Sequence, residues 1–147
     1  VKGPTGCRYL SDERQKTYVY DGWNLPGDAA CLDEDGYIWY EARTDDMIVS
    51  SGYNVGAPEV ENALLKHPAV SECAVVGKQH EQRGTIIKAF VVCADNANVD
   101  PELAVELQNH VKNTIAPYKY PREVEFVNEL PKTGTGKIQR FRLREMA

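Results

Sequence analysis

Two apolar stretches decide the fold of this chain: Glu72-Cys73-Ala74-Val75-Val76-Gly77 and Ile86-Ile87-Lys88-Ala89-Phe90-Val91-Val92-Cys93-Ala94. Both are rich in β-branched residues and are bounded by turn residues, which predicts two β-strands. Charged and apolar residues alternate over Glu123-Val124-Glu125-Phe126-Val127. This alternation predicts a third, half-buried strand.

Two sets of apolar residues recur at helical spacing around these strands. The first set, within residues 57–67, is Val60, Ala63, Leu64 and His67. The second set, which Ala116-Pro117 terminates, is Leu103, Leu107, Val111 and Ile115. Each spacing predicts an amphipathic helix. The order helix, strand, strand, helix, strand predicts an α+β fold with a small three-stranded sheet flanked by helices.

The residues up to about 43 predict short strands and turns. Thr17-Tyr18-Val19-Tyr20 is β-prone, and the turn Asp21-Gly22 follows it. Two apolar runs, residues 29–32 and 37–40, flank the turn Asp33-Glu34-Asp35-Gly36, which predicts a β-hairpin. No apolar pattern of helical length occurs here, so this part is too thin to bury a core unaided.

Composition excludes several classes of function. The chain has 147 residues, is 42% hydrophobic and carries a net charge of −5, so a uniformly basic surface for nucleic acid is not expected. No apolar stretch is long enough to span a bilayer. The four cysteines form no C-x-x-C pair and the three histidines have no partner at metal-ligand spacing. No metal site is therefore predicted, and the histidines are assigned surface or helix-end roles. The wide separation of the cysteines favours a reduced, cytoplasmic location.

One polar loop stands out: Pro131-Lys132-Thr133-Gly134-Thr135-Gly136-Lys137. We expect a mobile loop whose backbone approaches a charged ligand closely, with Lys137 offering an ammonium to phosphate and carboxylate oxygens. It is not a Walker loop, because Ile138 stands where that pattern needs Ser or Thr. On these residues alone, an exposed turn with a solvated lysine remains the alternative.

Two further polar segments are candidate functional elements. Residues 43–48, Arg43-Thr44-Asp45-Asp46-Met47-Ile48, join two parts of different character, so they are a candidate hinge. An ordinary loop with a surface ion pair is the alternative. The glycine in Ser50-Ser51-Gly52-Tyr53-Asn54 allows close approach by a ligand or another backbone.

Four ordered motifs resemble the C-terminal end of the adenylate-forming superfamily of acyl-CoA synthetases, peptide-synthetase adenylation domains and luciferases. The motifs are Gly22-Trp23-Asn24-Leu25-Pro26-Gly27-Asp28, residues 43–54, Pro58-Glu59-Val60-Glu61 and residues 131–137. Three sequence segments, or phrases, look most like those of benzoate- and 2-aminobenzoate-CoA ligases. Medium-chain acyl-CoA synthetases share some of them. These phrases are Gly3-Pro4-Thr5-Gly6-Cys7-Arg8-Tyr9-Leu10, residues 116–122 and residues 136–141.

The resemblance implies a two-step ligase reaction. A carboxylate attacks the α-phosphate of Mg-ATP to give an acyl-adenylate and pyrophosphate, and the thiol of CoA then displaces AMP. ATP, Mg²⁺, CoA and a small carboxylate are thus the expected cofactors and partners, with no nucleic acid and no membrane span. Benzoate or 2-aminobenzoate is the expected acid.

The resemblance also implies roles for single residues. Asp28 matches an aspartate that accepts hydrogen bonds from the ribose hydroxyls, and Arg43 matches an arginine at the same nucleotide. Lys137 matches the catalytic lysine of adenylation, whose charge offsets negative charge as two anions meet. Asp45 matches the hinge about which the small domain rotates, replacing Lys137 at the site by the Gly52 loop.

For CoA, the resemblance implies five binding residues, namely Gly52, Arg83, Tyr118, Lys119 and Arg122. Gly52 leaves room for the pantetheine arm, and the others supply aromatic and basic groups near the nucleotide and its 3′-phosphate. Arg83 stands where some relatives have tryptophan, and a guanidinium can also stack on adenine. The sequence departs from the family at Pro26, where threonine is usual, and at Ala42, where glycine is usual.

The resemblance divides the chain in two. Residues 1–44 correspond to the end of the large N-terminal domain, within a β-barrel subdomain, and residues 45–147 to the mobile C-terminal lid. The phosphate loop, the carboxylate pocket and the magnesium-binding glutamate are expected upstream, in the large domain that is the lid's partner. The 147 residues alone are therefore expected to be inactive. The alternatives are a medium-chain acyl-CoA synthetase, an adenylation domain that loads a carrier protein and, less favoured, a non-enzymatic interaction domain.

Overall fold

The computed structural model describes residues 13–95, 97 and 99–147, without the side chains of Arg14 and Gln15. The phrase at residues 3–10 that contributes to the family resemblance lies outside the described residues. Contacts divide the chain into two compact units, and the boundary falls between Asp45 and Asp46.

The first unit consists of a short helix and two strand pairs. Its elements are α1 (Arg14–Tyr18), β1 (Val19–Tyr20), β2 (Trp23–Asn24), β3 (Asp28–Leu32) and β4 (Ile38–Arg43). β1 pairs with β2 and β3 with β4, both antiparallel, so the predicted hairpin is confirmed. The strand predicted from Thr17 is wrong over its first half, because Thr17 and Tyr18 complete the last turn of α1.

The carboxylate of Asp33 organises the β3–β4 turn. Its Oδ1 accepts hydrogen bonds from the backbone N–H of Asp35 at 3.1 Å and of Tyr37 at 2.8 Å. Its Oδ2 accepts the indole N–H of Trp39 at 2.6 Å. Side-chain bonds of this kind stabilise a turn that has no buried core beneath it. Within the described residues the two strand pairs form separate sheets without barrel closure, so the barrel subdomain stays a prediction.

The second unit is the α+β domain predicted from the sequence. Its elements are β5 (Met47–Ser50), β6 (Tyr53–Gly56), α2 (Ala57–Leu64), β7 (Val70–His80), β8 (Gly84–Cys93), α3 (Pro101–Thr114), β9 (Glu123–Phe126) and α4 (Arg140–Met146). The main sheet has the order β7-β8-β9, with β7 antiparallel and β9 parallel to β8. The parallel pairing needs a crossover, which α3 supplies. Among the described residues, no helix has the length and apolar content to cross a membrane.

Both faces of this sheet are covered, which explains the continuous apolar runs of β7 and β8. Successive side chains along a strand point to opposite faces. Val75 and Ala89 accordingly pack with α2 and α3 in one core cluster. Their strand neighbours belong to a second cluster on the other face, formed by Ala74, Val76, Phe90, Leu130 and Leu143. Leu143 lies on α4, so that helix covers the second face.

Helix α3 begins with an aspartate cap and a proline. The Oδ1 of Asp100 accepts the backbone N–H of Leu103 at 2.8 Å, and Pro101 occupies the first helical position. An aspartate cap followed by proline satisfies the unpaired donors that every helix start exposes.

Helix α2 ends at Leu64, three residues before the predicted end at His67. The backbone N–H of His67 donates to the carbonyl of Leu64 at 2.9 Å, so the last turn is tightened by an i→i−3 bond. The surface role considered for His67 is wrong, because its ring is buried and its Nε2 lies 3.1 Å from Oε1 of Glu106 on α3. Its position just after the helix end agrees with the other role considered.

Lys88 interrupts the apolar run of β8 and is buried with its charge paired. Its side chain is 3% exposed, and its Nζ lies 3.0 Å from Oε1 of Glu123 and 2.8 Å from Oε2 of Glu125. Lys78 donates to the same Glu123 at 2.8 Å. The hydrogen bond from Lys78, followed by that from Lys88, holds the pKa of Glu123 below its usual value against desolvation. Although desolvation lowers the pKa of Lys88, the hydrogen bonds that it donates to Glu125 and Glu123 raise the pKa overall.

The folded state is expected to lose stability below about pH 4.5 as Glu123 gains a proton. Its folded pKa lies below that of the unfolded chain, so its contribution is present above the unfolded pKa and is lost as the pH falls through the folded pKa. The free energy of unfolding, measured with urea, should fall less in Glu123→Gln than in the wild type over this acidic range. Glu81→Gln, in the exposed turn between β7 and β8, is the control. Equal acid sensitivity of wild type and Glu123→Gln would contradict the role of Glu123 in this loss of stability.

Candidate functional site

The first unit brings Asp28, Arg43 and Asp45 together. Asp28 and Arg43 are directly paired across β3 and β4, and Nη1 of Arg43 lies 3.4 Å from Oδ1 of Asp28. The Nε of Arg43 donates to Oδ1 of Asp45 at 3.3 Å. Desolvation lowers the pKa of Arg43, but the hydrogen bond and charge of Asp45, followed by the charge of Asp28, raise it overall. The three side chains are about half exposed, so ligand hydroxyls can reach both carboxylates.

The loop before β3 holds the arginine in place. Nη1 of Arg43 donates to the carbonyl of Pro26 at 2.8 Å, and the N–H of Thr44 donates to the carbonyl of Gly27 at 2.8 Å. Gly27 has φ +76°, and a Cβ there would lie 3.1 Å from Nη2 of Arg43. The positive φ favours glycine here, and a Cβ would press on the guanidinium beside it. Pro26 stands where threonine is usual in the family. It contacts Arg43 through its backbone carbonyl and has no side-chain hydroxyl.

The predicted hinge lies in a 3₁₀ turn, Thr44–Asp46. This turn follows β4 at once and precedes β5. The boundary between the two compact units falls directly after Asp45. Short 3₁₀ turns are frequent connectors, and the hinge role of Asp45 stays a prediction.

Gly52 lies at the tip of the β5–β6 hairpin, a two-residue turn in which Ser51 has φ 52° and Gly52 φ 83°. Two positive φ values define a type I′ turn, which matches the twist of a two-stranded ribbon. Apart from Gly52 and its two chain neighbours, no atom of the described residues lies within 4 Å of a Cβ built at Gly52, so there is open space beside the turn. Beside it, Tyr53 stacks on Tyr118 with the ring centroids 4.2 Å apart.

Lys119 is not a free cation. Its Nζ donates to both carboxylate oxygens of Glu59 on α2, at 2.7 and 2.6 Å, and its side chain is only 18% exposed. The short 3₁₀ helix Pro117–Lys119 is thus anchored to α2. Tyr118 remains half exposed, so an aromatic face next to the Gly52 turn stays accessible.

Arg83 and Arg122, far apart in sequence, line one cleft of about 360 Å³. Nη1 of Arg122 donates to Oη of Tyr120 at 2.8 Å, and Lys112 lies over the same ring, 4.2 Å from its centroid. The other lining residues are His80, Ile86, Gln108 and Glu123. Three cations around one concave surface are suited to a phosphate or another anion.

Lys137 ends a turn that several hydrogen bonds close. The N–H of Thr133 donates to the carbonyl of Lys137 at 2.8 Å, and the N–H of Gly136 donates to the carbonyl of Thr133 at 2.9 Å. The hydroxyl of Thr133 accepts the N–H of Lys137 at 3.1 Å. Lys132 and Ile138 close the loop as an antiparallel bridge. The segment predicted to be a mobile loop is therefore a hydrogen-bonded hairpin turn, in which the Thr133 hydroxyl accepts one backbone N–H and contacts the Thr135 hydroxyl; its mobility stays a prediction.

The ammonium of Lys137 is exposed, and within the described residues it has no hydrogen-bond or ion-pair partner. Most other cations of the second unit are paired, including Lys78, Lys119, Lys132 and Arg140. Lys137 does not line the cleft of Arg83 and Arg122. The cationic turn and the cationic cleft are therefore separate features.

One cluster was not identified from the sequence. Glu61 on α2 pairs with Arg140 at the start of α4, at 2.7 Å, and Asp46 contacts both Arg140 and Arg144. Glu61 belongs to a motif of the family resemblance, but no role follows from that resemblance. Partners 79 residues apart share no local spacing that could have pointed to them.

No group of three His, Cys, Asp or Glu side chains that could hold a metal ion occurs among the described residues. The described side chains therefore form no set that fits Mg²⁺.

Comparison with known proteins identifies the family. The AMP-binding enzyme C-terminal domain matches residues 59–137. The chain is 54% identical over 138 residues to the uncharacterised acyl-CoA ligase YtcI of Bacillus subtilis, covering 93% of this chain and 26% of that protein. It is 57% identical over 127 residues to the mitochondrial acyl-coenzyme A synthetase ACSM2B of Homo sapiens, covering 85% of this chain and 22% of that protein.

A solved structure with a bound intermediate is also similar. The anthranilate CoA ligase AuaEII, in complex with anthranoyl-AMP, has a TM-score of 0.82 and 42% identity, covering 92% of this chain and 26% of that one. The chain spans about a quarter of the length of each of these relatives. Of the three, the two named as acyl-CoA ligase or synthetase are more similar in sequence than the anthranilate ligase. The expected preference for benzoate or 2-aminobenzoate is thus less well supported than the alternative of a medium-chain acyl-CoA synthetase.

Proposed function

This chain belongs to the AMP-binding enzyme C-terminal domain family, and from that premise we propose that it serves an ATP-dependent, AMP-forming acyl-CoA ligase. In the proposed reaction a carboxylic acid is joined to AMP with release of pyrophosphate, and the thiol of CoA then displaces AMP to give a thioester. ATP, CoA and the acid are the proposed ligands. A large N-terminal domain is the proposed partner of the second unit.

The observation that carries this proposal is the Lys137 turn. Its ammonium is exposed, and no described residue pairs with it, while hydrogen bonds around Thr133 hold the backbone. A pre-positioned cation stabilises negative charge without reorganising during the reaction. We assign Lys137 to the first step, where carboxylate and α-phosphate oxygens approach each other. A neighbouring carboxylate would weaken this effect.

Asp28 and Arg43 are the proposed nucleotide contacts of the first unit. A half-exposed carboxylate that is already oriented by a guanidinium can accept hydrogen bonds from two adjacent hydroxyls. Arg43 keeps donors for the nucleotide, because a guanidinium carries five N–H groups. The resemblance assigns the same two residues to the ribose and the nucleotide.

We propose that rotation about Asp45 separates the two steps. The unit boundary directly after Asp45 supports a hinge at this residue. In the second step the open Gly52 turn and the face of Tyr118 would contact the pantetheine arm, with Lys119 beside them. Arg83 and Arg122 would meet the phosphates of CoA at their cleft, where opposite charges attract. A rotating lid allows one small domain to serve two chemistries in turn.

Magnesium accompanies ATP in the proposed reaction, where it neutralises phosphate charge. The described residues contain no set of side chains that fits it, so its ligands are expected in the large domain.

For the acid, we propose medium-chain fatty acids as the first substrates and aromatic acids as the second candidate. The identity of 57% to an acyl-coenzyme A synthetase supports the former. The identity of 42% to the anthranilate ligase supports the latter. Loading of a carrier protein is less favoured, because the Arg83 and Arg122 cleft suits the phosphates of free CoA.

The test is acid-dependent exchange of pyrophosphate into ATP by the full-length protein that carries this chain. Octanoate, hexanoate, benzoate and 2-aminobenzoate are compared at equal concentration, with acetate and no acid as controls. We expect exchange with the medium-chain acids to exceed that with the aromatic acids, and CoA to convert the product to a thioester. No exchange with any acid would contradict the ligase proposal, and higher exchange with benzoates would reverse the choice of acid.

A further inference from the structure

The two glutamates of the Pro58-Glu59-Val60-Glu61 motif form ion pairs with basic residues in two different, sequence-distant segments. Glu59 and Glu61 both lie on α2, and residues two apart on a helix do not face the same side. Glu59 holds Lys119, with both oxygens within 2.7 Å of its Nζ. Glu61 holds Arg140, whose Nη2 lies 2.9 and 2.7 Å from its two oxygens. The resemblance gives neither glutamate a role.

The Glu61 pair fixes the chain just after the Lys137 turn. Arg140 is the first residue of α4, three positions after Lys137, and the N–H of the intervening Gln139 donates to the carbonyl of Pro131. The Oε1 of Glu61 also accepts the N–H of Val75 on β7 at 2.9 Å. The Glu61 side chain is only 12% exposed, so both of its partners bind at a defined position. The end of the turn is thereby anchored to α2 and to the sheet.

The Glu59 pair fixes the chain beside the Gly52 turn. Lys119 follows Tyr118, and Tyr118 stacks on Tyr53 at 4.2 Å between ring centroids. Tyr53 is the residue directly after Gly52. The open hairpin tip and the aromatic face next to it are thus linked to α2 through Lys119.

We propose that Glu61 and Glu59 are positioning residues that serve the two half-reactions separately. Glu61 holds the Lys137 turn through Arg140 for adenylation. Glu59 holds the Tyr118 and Gly52 surface through Lys119 for thioester formation. This inference rests on the proposed function. A displacement of about 1 Å at a reacting group can cost ~10²-fold in rate, so loss of one anchor is expected to affect one step selectively.

The experiment uses the isosteric variants Glu61→Gln and Glu59→Gln in the full-length protein. Glutamine keeps an acceptor for the N–H of Val75 and removes the charge that orients the cation. Pyrophosphate exchange reports the first step, and thioester formation from added acyl-adenylate reports the second. Glu61→Gln should lower exchange about tenfold or more and leave thioester formation within about twofold. Glu59→Gln should show the reverse pattern.

Two comparisons separate positioning from a general structural effect. Glu72→Gln is the matched control, because Glu72 pairs with Lys132 of the same loop but at an exposed site, and both steps should stay within about twofold. Arg140→Lys, which keeps a cation, should restore part of the exchange that Arg140→Gln loses. Thermal unfolding is measured for every variant.

Each outcome decides the matter. Equal losses of both steps in both glutamate variants, or no loss in either, would overturn this inference while the active wild type still supports the ligase. Failure of the wild type to catalyse either step would remove the proposed function and this inference with it. Opposite selectivity of the two variants is the result that establishes it.

Discussion

Lys137→Ala in the full-length protein is expected to lower acid-dependent pyrophosphate exchange by ~10²–10³-fold, the usual effect of removing one pre-positioned group that stabilises developing charge. The lysine has no competing carboxylate among the described residues, so its whole charge is available to the ligand. Thioester formation from added acyl-adenylate should change little, because that step is assigned to other residues. The measurement is the ratio of the two rates in variant and wild type.

The matched control is Lys66→Ala. Lys66 is likewise exposed after α2, and no described residue pairs with its ammonium. It should leave both rates unchanged, so any loss caused by removal of one surface charge is measured separately. Lys137→Arg tests the geometry, since a planar guanidinium retains the charge but not the compact ammonium. Exchange at the wild-type rate in Lys137→Ala would refute the catalytic assignment.

Phe90→Ala is expected to lower the free energy of unfolding of the second unit by about 3–5 kcal/mol. Phe90 is 0% exposed on β8 and packs with Leu130 and Leu143 on the face that α4 covers. Removing the ring leaves a cavity that these neighbours can fill only in part. Native-state hydrogen exchange of the β7 and β8 amides measures the loss, because the slowest amides report the stability of the unit that holds them.

Phe141→Ala supplies the same chemical change at the surface. Its ring is 54% exposed at the second position of α4, so the expected change is within about 0.5 kcal/mol. A comparable loss in both variants would mean that the second core cluster does not stabilise the unit. Helix α4 also carries Arg140, which anchors the Lys137 turn. The core around Phe90 therefore supports the helix that holds this anchor.

The sheet and its two flanking helices could be predicted because their signals are local. Alternation, β-branched runs and helical spacing are set by which side of an element faces the core. The β5–β6 hairpin and α4 were not predicted. Each strand of the hairpin has only four residues, too few to establish an alternating pattern. Helix α4 buries only Leu143, so it has no buried set at helical spacing.

The candidate site residues could be named from motifs, but their pairing could not. Asp28 and Arg43 are 15 residues apart and meet because the antiparallel pairing of β3 with β4 places them opposite each other. Arg83 and Arg122 share a cleft only because β8 and β9 run parallel with α3 between them. Lys119, named as a CoA residue, is already held by Glu59, which no spacing along the chain indicates.

The sequence by itself determined the α+β class, the hairpin of the first unit, the family and the identity of the residues proposed for each step. These follow from periodicity and from motifs, which are properties of neighbouring residues. Only the tertiary structure decided that Glu59 and Glu61 anchor two different segments and that Lys88 is buried between two glutamates. It also decided that Lys137 stands on a hydrogen-bonded turn and that no described residue pairs with its ammonium. Contacts between distant segments depend on register and helix orientation, which are fixed only when the core packs.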